Sequence, residues 1–269
     1  MGKTYLTYLR FAAIAVLLVA ATMLHAVSGT ASDSTTAGKS PLTASQVVDQ
    51  MLAHNATRAQ ELKSYESRRI YRVEYHGFPT SKTAEMEVAV KFTAPATKEF
   101  TVISQKGSGL LVSRVLKKLL ESESEASDEK AREHTALSLA NYQFALDHTE
   151  QEGGRLRYVL NVTPLREDKF LYRGKIWVDG DDFAVARIEA EPARNPSFWL
   201  KKTEIKHQYT KVGDFWLPAK NVSESKIRIG GHATLEIEYI DYRVSPGERQ
   251  VAGTSVQVPS SAPSQPANR

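Results

Sequence analysis

Regular alternation of apolar and polar residues in the second half of the chain limits the folds open to it. Apolar side chains occupy every second position from Leu156 to Val162, and a similar pattern recurs from Phe170 to Val178. The second segment ends at Asp179-Gly180-Asp181, a sequence typical of a tight turn. A period of two residues interrupted by turn signals predicts antiparallel hairpins with one face covered by a second layer.

Strand-like segments extend over most of the chain. The others that we predict are Ser67–His76, Thr83–Thr93, Glu99–Ser104, Phe183–Glu191, Thr203–Tyr209, Phe215–Ser223, Glu224–Ile229 and Ala233–Tyr242. About ten strands form a sheet large enough to curl, and its concave face must be filled by side chains, a helix or a ligand. The predicted fold class is therefore mainly β with minor α, built on a curved antiparallel sheet.

The chain also contains a strong helix signal ahead of the first strand. Thr43 and Gln46 form a T-x-x-Q capping box, and Leu42 with Val47 forms the matching hydrophobic staple. Apolar residues then recur at helical spacing as far as Leu62. This amphipathic helix must lie on an apolar surface.

A second helical segment interrupts the strands. Gly107-Ser108-Gly109 leads into an apolar stripe within Leu110–Leu120, and the acidic run Glu121–Glu129 follows. We predict a further short helix over about Asp128–Ala140, and we interpret the acidic run as a solvated connection.

The N-terminal residues indicate export. From Phe11 to Leu24 the chain has fourteen residues without a charge, preceded by Lys3 and Arg10. This length suits the apolar region of a secretory signal better than a membrane span. An uncleaved anchor is the alternative. We expect a signal peptide at 1–31, a linker at 32–40, one domain at 41–244 and a disordered Pro/Ser-rich tail at 245–269.

Composition narrows the protein class further. The chain has no cysteine, so it has neither disulfides nor a cysteine-linked lipid anchor. Removing Lys3 and Arg10 with the signal leaves 33 basic residues (35 − 2) against 31 acidic ones, interleaved along the chain. A nucleic-acid interface would cluster the basic residues, so no nucleic-acid partner is expected. We predict a periplasmic protein that is not lipid-anchored.

Motifs for catalysis or metal binding do not emerge from the sequence. The chain has no H-E-x-x-H and no G-x-S-x-G. Gly107-Ser108-Gly109 lacks the lysine of a phosphate-binding loop, and Asp179-Gly180-Asp181 lacks the spaced carboxylates of a calcium loop. We therefore predict no catalytic residues, metal or cofactor, and a protein that is not an enzyme.

A series of three motifs resembles the pattern of a known family. Asn161-Val162-Thr163-Pro164, Lys175-Ile176-Trp177-Val178-Asp179 and Phe215-Trp216-Leu217-Pro218 are similar to the V-x-P…I-W-V-D…F-W-L-P pattern of LolA-like, outer-membrane lipoprotein-sorting proteins. The resemblance covers Thr43–Val244 in outline and is distinctive over Tyr142–Tyr242. It implies a half-open β-barrel whose mouth is covered by helices and whose cavity takes lipoprotein acyl chains or other lipids.

The resemblance and the alternation together suggest residues for a ligand cavity. The candidates are Leu160, Val162, Phe170, Tyr172, Ile176, Phe198, Phe215, Leu217, Leu235, Ile237 and Tyr239. The candidate lid residues are Val112, Val115, Leu116 and Leu119. Every one of these aromatic residues could instead fill a closed core.

The predicted function is that of a monomeric periplasmic carrier that sequesters lipoprotein acyl chains or lipids, with a possible partner protein at the inner or outer membrane. One alternative is a sensor or interaction scaffold with the same fold, and another is an enzyme that acts on lipid or glycan. In the LolA-like carriers a basic residue latches the lid. Arg68 or Arg69 lies in a suitable region, although the sequence does not assign that role to either residue.

Overall fold

The computed structural model describes residues 42–125, 133–228 and 230–246. The predicted signal peptide, the predicted linker and nearly all of the predicted tail lie outside these residues. Within the described residues, no helix combines the length and apolar character required to cross a bilayer. Helix α1 spans Ala44–Glu61. Helix α2 is continuous from Gly109 to Glu125, with α-helical segments Gly109–Leu111 and Lys117–Glu125 on either side of a π-helical turn, Val112–Leu116.

Ten strands make up one sheet. They are β1 (Leu62–His76), β2 (Lys82–Thr93), β3 (Thr97–Gly107), β4 (Tyr142–Glu152), β5 (Arg155–Pro164), β6 (Tyr172–Asp179), β7 (Val185–Pro192), β8 (Leu200–Val212), β9 (Phe215–Ile227) and β10 (His232–Pro246). Their order is β3-β2-β1-β10-β9-β8-β7-β6-β5-β4, and all the pairings are antiparallel. The fold is a curved open sheet with few helices, which confirms the predicted fold class.

Side-chain alternation gives the sheet an inner face that both helices cover. The register places Leu160, Ile176 and Ile188 side by side on neighbouring strands, and each is almost completely buried. The buried apolar residues on this face form two large clusters. Cluster 1 contains residues of α1 and of β4 to β8, and cluster 2 contains residues of α2, β1, β2 and β10.

The predicted capping box begins α1. The Thr43 amide donates to Gln46 Oε1 at 2.9 Å, and the Gln46 amide donates to Thr43 Oγ1 at 3.3 Å. Val47, Val48 and Met51 then point into cluster 1. The packing of this apolar face supplies most of the stability of a helix of this length.

A single glycine turns the chain from β3 into α2. Gly107 has a φ of +89°, in the left-handed region that favours glycine. A Cβ atom added there would lie 2.5 Å from the carbonyl oxygen of Thr83 on β2. The turn brings α2 directly onto the inner face of the neighbouring strands.

The outer face of the sheet carries rows of opposite charges. Arg72 on β1 forms ion pairs with Glu85 on β2 at 3.0 Å and with Glu236 on β10 at 3.1 Å. Lys106 on β3 and Lys220 on β9 extend this row. Charged cross-strand pairs suit a surface in contact with water, so ligand binding inside the sheet must use the opposite face.

The turn between β6 and β7 joins several elements through Asp179. The Asp179 side chain is fully buried and accepts hydrogen bonds from Arg155 at 2.6 Å, from Arg157, and from the amides of Asp181 and Asp182. Arg58 of α1 donates to the carbonyl of Asp182 at 2.8 Å. The predicted turn is therefore also the point at which α1 is attached to the sheet.

Several predicted boundaries were wrong. The segments Phe215–Ser223 and Glu224–Ile229 form one strand, β9, because its pairing with β8 continues across the polar residues between them. Of the short helix predicted over about Asp128–Ala140, residues 128–132 lie outside the described residues, and helical structure is confined to 133–135 in the rest. Strand β10 continues to Pro246, beyond the end at Tyr242 that we predicted for this strand.

We predict that Asp179→Asn strongly destabilises the domain. The substitution removes the buried charge that faces Arg157, which is 8% exposed and keeps only its contact with the partly exposed Glu152 at 3.3 Å, and removing one member of a buried ion pair costs about 3–5 kcal/mol. Chemical denaturation should show a lower midpoint with little change in the slope. Asp181→Asn is the control, because Asp181 lies in the same turn but is exposed. Equal effects of the two substitutions would contradict the role of Asp179.

Candidate functional site

The predicted cavity residues separate into different parts of the inner face. Cluster 1 holds Leu160, Val162, Tyr172 and Ile176, with Phe170 packed against it. Cluster 2 holds Leu235 and Ile237, with Tyr239 packed against it, together with the four lid candidates Val112, Val115, Leu116 and Leu119. Phe215 and Leu217 belong to a smaller cluster with Leu62 and Tyr65. The structure thus brings together most of the candidates in two groups, each beneath its own helix.

Phe198 is a correction to the predicted cavity. It lies between β7 and β8 with 74% of its surface exposed, and its ring contacts Trp199 and Arg228. Trp177 and Trp216 are buried but lie outside clusters 1 and 2, and Trp216 packs in a separate small cluster with Ala184 and Ala186. Trp177 stacks on Arg187 and donates to Glu150, whereas Trp216 donates to Asp182. The abundance of aromatic residues therefore led us to overestimate how many of them line the apolar interior.

A buried ion pair ties α2 to the inner face. The Arg69 guanidinium on β1 lies 2.7 Å from the carboxylate of Glu123 on α2, and Lys98 on β3 lies 3.1 Å from the same carboxylate. Arg69 also donates to the hydroxyl of Tyr71 at 3.3 Å. Arg69 and Glu123 are both more than nine-tenths buried. The fixed point of α2 is thus polar, although the rest of its contact with the sheet is apolar.

Aromatic rings surround the Arg69 guanidinium. Its central carbon lies 4.8 Å from the centre of the Tyr239 ring and 5.7 Å from the centre of the Phe100 ring. A guanidinium over an aromatic face is attracted by the ring quadrupole, and more strongly where water is excluded. The rings therefore help to hold the charge of Arg69 within an apolar region.

The charges around Glu123 control its protonation. Burial by itself would raise the pKa of Glu123, but the positive charges of Arg69 and Lys98 lower it to about 2. Glu123 is consequently ionised at neutral pH and keeps its attraction for Arg69. The ordinary value for this carboxyl group is 4.5.

A second feature of the interior is a stripe of polar residues between the two clusters. Along β9 every inward position from 221 to 225 is polar. The stripe consists of Asn221, Ser223 and Ser225 on β9 with Thr203 and His207 on β8, and all five are at least nine-tenths buried. In register, His207 and Asn221 stand between Ile188 and Ile237. The stripe therefore divides an otherwise apolar row.

Only part of this stripe is satisfied by hydrogen bonds. Thr203 and Ser225 pair through their hydroxyl groups at 3.0 Å, and the Asn221 amide donates to the hydroxyl of Tyr239 at 2.8 Å. Ser223 Oγ, Asn221 Oδ1 and His207 Nδ1 have no hydrogen-bond partner among the described residues. Burial lowers the pKa of His207 to about 3, so its imidazole is neutral at physiological pH.

Sequence reasoning missed both polar features for different reasons. The polar inward positions of β9 were visible as a break in the alternation, but the segment was divided into two strands at that point. The partnership of Arg69 with Glu123 had no local signal, because the two residues are far apart in sequence and belong to different elements. Only the way in which α2 folds back onto the sheet brings them together.

A groove of about 560 Å³ is present elsewhere on the sheet, across β5 to β8. Its lining comprises Asn161, Val162, Thr163, Arg173, Gly174, Glu189, Ala190, Glu191, Glu204, Ile205 and Lys206. The charged members alternate with the inward residues, so they belong to the outer face. In the described part of the chain, no group of three or more His, Asp or Glu residues could hold a metal ion.

Part of the chain matches a family known from its sequences. Residues 134–241 match the model of a family of unknown function, DUF5686. The match covers less than half of the chain and does not by itself place the chain in that family. None of the curated proteins compared with the chain matches it.

Solved structures with a similar fold share little sequence with this chain. A DUF1329 family protein from Desulfovibrio piger is 12% identical, with 75% of this chain and 93% of that chain covered and a TM-score of 0.39. A LolA superfamily protein from Nitrosomonas europaea is 12% identical, with 76% of this chain and 94% of that chain covered and a TM-score of 0.35. A domain from Vibrio parahaemolyticus, described as that of an outer membrane lipoprotein-sorting protein, is 13% identical. The alignment covers 77% of this chain and 94% of that chain, with a TM-score of 0.36. Similarity at this level assigns no ligand or partner to this chain.

Proposed function

We propose that this protein is an exported carrier that holds the acyl chains of lipids or lipoproteins between α2 and the inner face of the sheet. The observation that supports it best is the way in which α2 is attached. The helix covers apolar strands, begins at the turn of Gly107, and is held at its other end by the buried contact of Glu123 with Arg69. This combination suits a lid that stays attached at the Gly107 turn and opens at the end where Glu123 contacts Arg69.

The two helices differ in how firmly they are attached. Helix α1 has a complete capping box, and its Arg58 donates to the carbonyl groups of Asp182 and Phe183. Helix α2 has no side-chain cap at its first segment and contains the π-helical turn Val112–Leu116. Such turns interrupt regular helical hydrogen bonding and are frequent at functional sites. We therefore assign the moving role to α2 and a fixed structural role to α1.

Acyl chains can replace the apolar contacts that α2 loses when it moves. The underside of the helix presents Val112, Val115, Leu116 and Leu119 to the sheet, and all four are buried. Each acyl CH₂ that leaves water contributes ~0.8 kcal/mol, so a long chain contributes on the order of 10 kcal/mol. Part of this gain offsets the cost of separating Glu123 from Arg69. A partner that favours the open lid would therefore promote release.

The carrier proposal includes a location and partners. An apolar segment like that of 11–24, with basic residues ahead of it, directs export, and the periplasm is the compartment in which such a carrier would meet two membranes. Donor and acceptor proteins at those membranes would supply and remove the ligand. No step in this cycle requires bond chemistry, and we propose a non-enzymatic role.

The edge of the sheet favours a second candidate function. Strand β3 is the last strand on its side of the sheet, and Val102 and Ile103 on it are 42% and 51% exposed. An exposed edge with apolar side chains can pair with an extended segment of another protein. A sensor or scaffold would use this edge, and Ile103→Lys would then abolish partner binding without affecting lipid uptake.

We predict that Glu123→Gln accelerates release of a bound fluorescent fatty acid. The substitution removes the charge that holds α2 to Arg69, and a loss of about 1.4 kcal/mol in the closed state corresponds to a tenfold change. Stopped-flow dilution of loaded protein measures the release rate. Glu121→Gln is the matched control, because Glu121 lies on the same helix and is exposed. Equal release rates for both variants and the unmodified protein would contradict the lid.

Acid should open the lid of the unmodified protein. The folded-state pKa of Glu123 lies below its ordinary value, so the ion pair stabilises closure fully above about pH 4.5 and loses this effect as pH falls towards about 2. Release should be constant between pH 5 and pH 8 and faster at pH 3, with circular dichroism confirming that the sheet persists. The Glu123→Gln variant should not show this acceleration.

We predict that Ile237→Trp lowers the amount of fatty acid bound without unfolding the domain. Ile237 is buried in cluster 2 beneath α2, so a larger ring occupies space that an acyl chain would take. Overpacking costs about 1–3 kcal/mol, which a domain of this size tolerates. Ile240→Trp on the outer face of the same strand is the control. Unchanged uptake by Ile237→Trp would place the ligand elsewhere.

A further inference from the structure

We propose that the unpartnered part of the polar stripe, formed by Asn221, Ser223 and His207, binds the uncharged ester, amide or hydroxyl groups that join acyl chains to their head group. This inference rests on the proposed function and specifies its ligand as an amphiphile with a neutral linkage rather than a bare hydrocarbon. The acyl chains would lie on the apolar surfaces on either side of the stripe.

The position of the stripe supports this assignment. Ser223 stands in register between Ile205 on β8 and Leu235 on β10, and both neighbours are buried apolar residues. The two cross-strand neighbours of position 223 are therefore residues beside which a valine would pack well. A serine in this place loses the solvation of its hydroxyl and gains no hydrogen bond within the described residues. An unsatisfied buried group calls for an explanation, and a ligand that hydrogen-bonds to Ser223 supplies one.

Three neighbouring atoms share this condition. Ser223 Oγ, Asn221 Oδ1 and His207 Nδ1 are all buried, and none has a partner among the described residues. Asn221 faces His207 across the two strands and is two residues from Ser223, so all three point to the same side of the sheet. One ligand group could therefore contact more than one of them.

The chemistry of these atoms selects a neutral group. The stripe itself carries no charge, since burial keeps His207 unprotonated, and the nearby Arg69 is held by Glu123, whose carboxylate it shares with Lys98. A phosphate or carboxylate placed here would be desolvated without a cation among the stripe residues to balance it. Ser223 can both donate and accept, and Asn221 Oδ1 accepts. A glyceryl ester with a free hydroxyl, or an amide, offers the complementary donor and acceptor.

The arrangement of the clusters indicates where the chains would go. Cluster 1 lies on one side of the stripe and cluster 2 on the other. A linkage bound at the stripe could direct chains towards either cluster. Cluster 2 becomes accessible when α2 moves.

Two ligands of equal chain length test the proposal. The full chain is loaded with a fluorescent fatty acid, which is then displaced by 1-monolaurin or by dodecane. Ser223→Ala should weaken displacement by 1-monolaurin about tenfold and leave displacement by dodecane unchanged. Ser225→Ala is the control, because Ser225 lies two residues away on the same face but is already paired with Thr203. This control should leave the preference for 1-monolaurin intact.

Thermal unfolding of the ligand-free variants gives an independent measurement. Ser223→Ala should keep or raise the melting temperature, since it removes an unpartnered hydroxyl, whereas Ser225→Ala should lower it by leaving Thr203 unpaired. Equal destabilisation by the two substitutions would overturn the proposal.

The possible binding results separate this inference from the carrier function. If Ser223→Ala weakens displacement by 1-monolaurin and by dodecane equally, or weakens neither, the stripe does not recognise the linkage. The carrier function would then stand without this inference. If no lipid probe binds to the unmodified protein, the carrier function fails and the inference that rests on it fails as well.

Discussion

The apolar inner face of the sheet must be covered, and the two helices of the described chain divide this task between them. Cluster 1 is closed by α1, and cluster 2 is closed by α2. The outer face is suited to water by its ion pairs around Arg72. Burial of the inner face therefore sets the positions of the other elements. The turn at Gly107 and the attachment of Arg58 to the β6–β7 turn both serve this covering.

Helices α1 and α2 are held to the sheet by different kinds of polar contact, and this difference has energetic consequences. The apolar contacts of α1 are reinforced by hydrogen bonds that the Arg58 guanidinium donates to main-chain carbonyl groups, and these acceptors keep their hydrogen-bonding capacity at any pH. The buried end of α2 depends on Glu123 and Arg69, whose attraction must compensate for their loss of hydration. A contact of this kind is stable only when both partners are in place. In the proposed carrier, the closed position of α2 is consequently more sensitive to a partner, a ligand or a change in protonation than the position of α1.

Much of the fold could be predicted because its signals are local. The capping box at Thr43, the alternation of β5 and β6, and the turn at Asp179 depend on residues close together in sequence, and the structure confirms them. The break within β9 was misjudged because polar inward residues resemble a turn when the partner strands are unknown. Phe198 was misplaced because its hydrophobicity says nothing about whether its loop folds inward or outward.

The interior of the site was less predictable because it depends on contacts between distant segments. The sequence could not choose between Arg68 and Arg69 as a basic latch, and Glu123 does not stand out among the many charged residues of the chain until α2 is placed on β1. Likewise, Ser223 is unremarkable in sequence and becomes informative only when Ile205 and Leu235 are found on either side of it. The alternation in the sequence identifies which residues share a face of the sheet. The polar exceptions within an apolar face can be interpreted only when the register of the neighbouring strands is known.

A polar stripe within an apolar interior also changes how selectivity can arise. Apolar surface binds acyl chains in proportion to the area removed from water and discriminates poorly between them. Buried polar groups discriminate strongly, because a ligand that leaves them unpaired forfeits their hydration without replacement. The clusters under α1 and α2 would therefore supply affinity, while Asn221, Ser223 and His207 would reject a chain that lacks the matching linkage. In this arrangement, affinity and selectivity reside on different residues of the same face.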